Sequence, residues 1–121
     1  MADTRNPAGP YGGPALQAGT TRAFVMVGRC GIPSGANAVA LNVTVTTPTA
    51  PGHLTVYPQG LPVPLASTIN FGAGQTRANN AIIPLGVADS IAVLSEQLAP
   101  GSTTHVIIDV NGYFRTPGGG P

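Results

Sequence analysis

Charge is the scarcest property of this 121-residue sequence. Only 7% of the residues are charged, against roughly 25% in an ordinary soluble domain, and lysine is absent. The formal net charge at pH 7 is +1. This balance excludes a basic stripe for nucleic acid, because phosphate recognition needs clustered Lys and Arg side chains. The same scarcity leaves little repulsion between copies of the protein, which favours self-association.

Long hydrophobic runs, a signal peptide and paired cysteines are missing as well. No window of about 18 residues is apolar throughout, so the sequence predicts no membrane insertion. The start, Met1-Ala2-Asp3, lacks the basic and apolar regions of a secretory signal. The single cysteine, Cys30, excludes an intrachain disulfide and leaves a thiol that is free to cross-link two chains in an oxidising compartment.

Catalytic and metal-binding signatures are also missing. The two histidines and four acids are scattered, without the spacing of a zinc or EF-hand site. No Gly-x-Ser-x-Gly elbow is present. The segment from Asp109 to Gly112 matches a fragment of a calcium loop but lacks the remaining acidic ligands and the closing Glu. We therefore expect no enzyme activity and no cofactor.

Short apolar and β-branched runs, separated by turn residues, make up most of the chain. The 17 glycines and 13 prolines lie mainly between these runs. The clearest run, Ala38 to Thr46, alternates strictly between apolar and polar or small residues, which is the pattern of a strand with one buried face. No stretch shows helical periodicity. The runs predict strands over residues 22–27, 38–46, 53–57, 67–71, 75–85, 90–94 and 104–110.

Strands of this number and length predict an all-β fold. We expect a single antiparallel β-sandwich, jelly-roll-like, of about seven or eight short strands, with a barrel as the alternative. The domain should span residues 1–114, with an irregular N-terminal arm over 1–21 and a Gly/Pro-rich tail or linker over 115–121. The inward-facing strand positions predict one core of Val39, Leu41, Val43, Val45, Leu54, Val56, Ile69, Phe71, Ile83, Ile91, Val93, Val106, Ile108 and Val110.

The last strand carries an acid, Asp109, in the most apolar run of the chain. The run predicts a strand buried on both faces, which the Asn111-Gly112 pair should end. A buried carboxylate needs a partner, because leaving it unpaired costs several kcal/mol or forces protonation. Arginine suits such a site, since its planar group binds a carboxylate through two hydrogen bonds. We therefore predict that the two chain ends meet, with Arg5 or Arg77 paired to Asp109.

Several short motifs, taken together, resemble a known repeat domain. In chain order they are Asp3-Thr4-Arg5, Cys30-Gly31-Ile32-Pro33, Leu41-Asn42-Val43-Thr44-Val45, Leu54-Thr55-Val56-Tyr57-Pro58, Ser67-Thr68-Ile69-Asn70-Phe71, Gln75-Thr76-Arg77-Ala78-Asn79-Asn80 and Asp109-Val110-Asn111-Gly112-Tyr113-Phe114. They resemble a domain that is common in large secreted and surface proteins of actinobacteria, myxobacteria and acidobacteria. Members of that family have no defined activity and accompany hydrolase, adhesin-like or unidentified regions.

The resemblance implies an extracellular or cell-surface module. Family members often carry a cysteine before the motif that corresponds to Asp3-Thr4-Arg5, and that cysteine would be the natural partner of Cys30. This sequence begins two residues before Asp3 and lacks it. The start therefore fits a cut through a larger protein or a shortened designed version of the module, with the export signal outside this segment.

Two functions follow from these observations. The first is a non-catalytic structural module that assembles with itself, as a homo-oligomer or filament, or with neighbouring domains of a parent protein. The alternative is a glycan or cell-wall binding module appended to a secreted enzyme. Its sugar-facing residues would be Asn42, Asn70, Asn79, Asn80 and Tyr57. The chain has no tryptophan to serve as a sugar platform, which favours the first function.

Overall fold

A computed structural model describes residues 1–115 as two packed antiparallel β-sheets that do not close into a barrel. Nine strands form them, with a short 3-10 turn over Val87–Asp89 before the eighth strand. The strands are β1 (Ala2–Asp3), β2 (Leu16–Gln17), β3 (Thr20–Val25), β4 (Ala36–Thr46), β5 (Gly52–Pro58), β6 (Ile69–Phe71), β7 (Arg77–Pro84), β8 (Ser90–Gln97) and β9 (Thr103–Arg115). The predicted all-β sandwich is confirmed. The predicted tail lies outside the described residues from position 116 onward.

The strand order of the two sheets is that of a jelly roll. The large sheet has the order β1-β9-β4-β7, with β2 also paired to β9, and the small sheet has the order β3-β8-β5-β6. With β2 set aside, pairing runs from the chain ends inward: β1 with β9, β3 with β8, β4 with β7 and β5 with β6. One long hairpin folded over in this way produces the two Greek keys of a jelly roll.

All seven predicted strands are present, and four of them, β4, β5, β8 and β9, are longer than expected. β4 has 11 residues and β9 has 13. The prediction that Asn111-Gly112 ends the last strand is wrong, because β9 continues to Arg115. The pairing with β4 shifts by one residue between Val110 and Gly112, which marks a β-bulge at Asn111. A bulge takes up one extra residue and lets the ladder continue on either side.

One hydrophobic core lies between the sheets. It contains 13 of the 14 predicted core residues, and the fourteenth, Val110, is half-buried and packs against the cluster. Val110 lies beside the bulge, where the pairing of β9 with β4 shifts by one residue. The core also includes residues that the alternation did not assign, namely Ala2, Leu16, Phe24, Met26, Ile32 and Ala36.

The N-terminal arm lies along β9 and contains two strands of two residues each, β1 and β2, within turns and bends. β1 pairs with residues 107–108 of β9, and β2 pairs with residues 103–104. Between them, Thr4 binds the same strand: its Oγ1 accepts the N–H of Val106 at 2.9 Å and lies 2.9 Å from Nδ1 of His105. The prediction that the two ends of the chain meet is therefore confirmed.

The arm also contacts the small sheet and so closes one side of the sandwich. The Tyr11 hydroxyl donates to the carbonyl oxygen of Val25, at the end of β3, over 2.7 Å. From β3, the Arg22 guanidinium donates to the carbonyl oxygens of Gly9 and Pro14. Because the arm binds both β9 and β3, it bridges the edges of the two sheets.

The opposite side of the sandwich, which we call the open side, has no strand pairing between β6 and β7 in the described chain. β6 has only three residues, whereas β7 has eight. Arg77 and Asn79 pair in register with Val45 and Val43, so they lie on the inner face of the large sheet. Both are exposed, because the short β6 does not cover this end of β7.

Candidate functional site

The predicted ion pair of Asp109 does not form. Asp109 is exposed and lies on the outer face of the large sheet, in register with Asn42. Arg5 binds Asp3 instead, with Nη2 2.8 Å from Oδ2 and Nε 3.0 Å from Oδ1. Arg77 lies on β7, which β4 separates from β9. Within residues 1–115, Asp109 has no ion-pair partner, because its strand is buried on one face rather than two.

The Asp3–Arg5 pair changes the acid–base behaviour of the arm. The side-chain hydrogen bond from Arg5 lowers the pKa of Asp3 from its ordinary value of 3.8 to about 2. The backbone N–H of Arg5 also donates to Oδ1 of Asp3, over 3.0 Å, and acts in the same direction. Asp3 therefore remains ionised in the folded protein at a pH where a free aspartate is protonated.

We expect this pair to contribute stability that disappears on acidification. Because the pKa is lower in the folded than in the unfolded state, the contribution is complete above about pH 4 and is lost as the pH falls to about 2. Asp3→Asn should therefore flatten the pH dependence of the unfolding free energy in this range, measured by urea denaturation. The change should be small, because Arg5 is exposed. Asp109→Asn, which removes an unpaired carboxylate, is the control. Equal pH profiles for Asp3→Asn and the parent would contradict the prediction.

The predicted glycan-facing residues fall into three separate places. Asn42 and Asn80 are neighbours in register on the outer face of the large sheet. Asn70 and Asn79 lie at the open side of the sandwich, on β6 and β7. Tyr57 is only 7% exposed, so it offers no ring for sugar stacking. The hypothesis of one sugar-binding face made by all five residues is wrong, but the pair at the open side belongs to a cleft.

That cleft, which we name the β6–β7 cleft, has a volume of about 280 Å³. Its lining residues are Thr68, Ile69, Asn70, Arg77, Ala78 and Asn79. The Asn79 amide is fixed, since its Nδ2 donates to the Thr68 carbonyl oxygen at 3.0 Å and its Oδ1 accepts the Asn80 N–H at 3.0 Å. Oδ1 of Asn70 accepts the Ser67 hydroxyl at 2.8 Å. The Asn70 amino group and the Arg77 guanidinium have no partner among the described residues.

A larger cleft of about 510 Å³ lies between the arm and β9. Asp3, Tyr11, Arg29 and Asp109 line it. Two of its charged groups are engaged: Asp3 binds Arg5, and the Arg29 guanidinium stacks 3.8 Å from the centre of the Tyr11 ring. Unlike the β6–β7 cleft, this cleft includes carboxylates, those of Asp3 and Asp109, beside its cationic groups.

The large sheet also exposes two lengths of unpaired strand edge in the described chain. β7 is the last strand of that sheet and has a partner only on its β4 side. At the opposite edge, β1 and β2 cover β9 only as far as Ile108, so residues 109–115 are uncovered on that side. The N–H and C=O groups that point away from a sheet edge are available for pairing with another strand.

Little on β7 protects its edge. Natural edge strands are commonly blocked by lysine, proline, a bulge or a covering segment. On β7, the one charged residue is Arg77 at the beginning and the one proline is Pro84 at the end. Between them, Ile82 projects from the outer face with 64% of its surface exposed. The uncovered half of β9, in contrast, contains the bulge at Asn111.

Cys30 lies exposed in a turn as a free thiol. Its predicted role in cross-linking two chains stays a prediction. Among residues 1–115, no three His, Cys, Asp or Glu side chains come together as a group that could hold a metal ion. No helix in the same part of the chain is long and apolar enough to span a bilayer.

No protein-family model matches this sequence, and no curated protein is similar to it. The resemblance to the bacterial repeat domain therefore stays a prediction. The class that the fold defines is a jelly-roll β-sandwich domain, with an arm that closes one side and a polar cleft on the other.

Proposed function

We propose that the protein is a non-catalytic structural module that acts by assembling with itself through the β7 edge of its large sheet. The observation that supports this most directly is the edge itself: eight residues with no strand partner on one side in the described chain, and no lysine or central proline to block pairing. The exposed Ile82 side chain adds apolar surface beside the unpaired backbone.

Weak electrostatic repulsion supports the same function. With a net charge of +1 and 7% charged residues, copies of the protein repel one another little. Two β7 edges related by a two-fold axis would pair antiparallel and form a closed dimer. Pairing of β7 with the uncovered half of β9 on another copy would instead repeat without closing and form a filament.

The proposal includes an extracellular or cell-surface location in a bacterium, which is supported by the resemblance to the repeat domain alone. Neighbouring domains of a parent protein are the other partners that this resemblance implies. The exposed Cys30 supports cross-linking of assembled copies in such an oxidising setting.

Ile82→Lys is the variant that tests assembly. A lysine at this position places a charge on the edge, and in a two-fold pair it brings like charges together. We expect the mass of the parent protein, measured by light scattering under reducing conditions from micromolar to millimolar concentration, to rise with concentration. The Ile82→Lys protein should stay at 12.1 kDa.

Leu98→Lys is the matched control for this experiment. Leu98 is 81% exposed and lies in the turn before β9, away from the β7 edge, so its replacement should leave association unchanged. A parent protein that remains a 12.1 kDa monomer over the whole concentration range would overturn the proposal. Equal loss of association in both lysine variants would instead place the contact outside β7.

The alternative function, a glycan or cell-wall binding module, is supported by the β6–β7 cleft. The cleft brings together Asn70 and Asn79, two of the residues that the sequence suggested for sugar contact, with Arg77. Its chemistry selects a narrower class of ligand than glycans in general.

A further inference from the structure

Arg77 is a cation without a partner in the described chain, although most arginines of this protein have one. Arg5 binds Asp3, and Arg29 stacks on Tyr11. Arg22 donates to carbonyl oxygens of the arm, and its guanidinium lies 5.0 Å from the centre of the Phe24 ring. Only Arg115, at the end of β9, resembles Arg77 in having no contact of this kind among residues 1–115. Arg77 differs from Arg115 because it lines a cleft.

The charge of the β6–β7 cleft is uncompensated. The four acids of the sequence are Asp3, Asp89, Glu96 and Asp109, and none of them lines the cleft. A guanidinium in such a place attracts an anion. Its planar donors match a carboxylate in particular, because both oxygens can be bound at once.

The neighbours of Arg77 add hydrogen-bonding groups suited to hydroxyls. The Asn70 amino group has no partner in the described chain, while its Oδ1 is held by Ser67. The Asn79 amide is fixed by contacts at both ends. The exposed lining of the cleft is mainly polar, and Ile69 is buried in the core. A sugar acid carries a carboxylate and several hydroxyl groups, so it can use both the guanidinium and the amide donors, whereas a bare anion uses only the charge.

The volume limits the size of the ligand. Ligand clefts commonly measure about 300–1,000 Å³, and this one, at about 280 Å³, lies at the lower end. We propose that the β6–β7 cleft binds one uronic acid residue, with its carboxylate on Arg77 and its hydroxyls on Asn70. The cleft shares residues 77–79 with the β7 edge, but its binding side chains lie on the inner face, whereas Ile82 lies on the outer face, so the Ile82→Lys protein can test binding without assembly.

Titration of the protein with glucuronate, followed by amide chemical shifts, tests the proposal. Glucose serves as the neutral sugar and acetate as the bare carboxylate. We expect saturable shifts at residues of the cleft with glucuronate, in the millimolar range, and weaker binding of both controls. Arg77→Gln should weaken glucuronate binding roughly tenfold or more, because a charged hydrogen-bonded contact is lost.

Arg115→Gln is the matched charge control and should bind glucuronate as the parent does. Asn70→Ala should weaken glucuronate binding while leaving acetate binding unchanged. The Ile82→Lys protein should retain binding, which separates this proposal from self-assembly. Glucuronate shifts no larger than those with glucose would overturn the proposal, as would equal losses in Arg77→Gln and Arg115→Gln. Acetate binding equal to that of glucuronate would overturn the assignment to a sugar.

Discussion

Leu41→Ala should lower the free energy of unfolding by about 2–5 kcal/mol. Leu41 is fully buried in the middle of β4. It pairs in register with Ala81 of β7 on one side and with Val110 of β9 on the other. Truncation removes apolar surface from the core and leaves a cavity, which strands held by hydrogen bonds on both sides cannot fully close.

Urea denaturation of the purified variant measures this change. Leu98→Ala is the control, because Leu98 is exposed in a turn and its truncation should change the unfolding free energy by less than about 0.5 kcal/mol. The slope of the denaturation curve should stay the same in both variants, since each still unfolds from the same fold. A Leu41→Ala protein that unfolds at the parent midpoint would contradict the assignment of Leu41 to the inner face.

Alternation of side chains is the reason that the core could be predicted from the sequence. In β4, a shift of one residue would move all four apolar side chains, Val39 to Val45, from the core to the solvent. Because of this penalty, the alternation specifies the register, and the structure agrees with the predicted inward positions in the six strands that had them, except at Val110. The nested pairing of a jelly roll, in contrast, depends on contacts between distant parts of the chain that no local pattern specifies.

The two short strands of the arm could not be predicted for a related reason. β1 and β2 have two residues each, which is too short for any periodicity. They exist because β9 offers an edge for pairing at residues 103–104 and 107–108. The same edge explains why Ala2 and Leu16 are buried in the core despite lying in a segment rich in glycine and proline.

The error over Asp109 has a specific cause. The apolar run around it predicts burial on both faces, but only the even-numbered positions from Thr104 to Ile108 point to the core. The partner of Arg5 is local instead: Asp3 begins a turn in which its carboxylate accepts the N–H of Arg5, and this brings the Arg5 guanidinium within reach.

Residue types alone predict some members of the β6–β7 cleft but not their grouping. The sequence predicts functional roles for Asn70, Asn79 and Arg77. For Arg77, however, the predicted role is an ion pair with Asp109. For the two asparagines it is a sugar-binding face that includes Tyr57. Their grouping depends on the short length of β6 and on the packing of the two sheets, which place residues of β6 opposite the exposed start of β7. Neither property is visible in side-chain alternation.

Thr4→Val should lower the free energy of unfolding by about 1–3 kcal/mol, although the two side chains are nearly the same size. Thr4 is 2% exposed, and its hydroxyl accepts the N–H of Val106 and contacts the ring of His105. Valine fills the space but leaves the N–H of Val106 buried without a partner. Most of the cost is the lost solvation of that group.

Hydrogen exchange and urea denaturation together test this role of Thr4. The Val106 amide should exchange faster in Thr4→Val, because the arm is the element that protects it. Thr55→Val is the control, since Thr55 is 3% exposed and its hydroxyl has no partner among the described residues, so its unfolding free energy should change by less than about 1 kcal/mol. If both variants are equally stable and the Val106 amide stays protected, Thr4 does not hold the arm on β9. If Thr4→Val alone is destabilised, the arm is part of the cooperative fold, and the Thr4 hydroxyl contributes to holding it on β9.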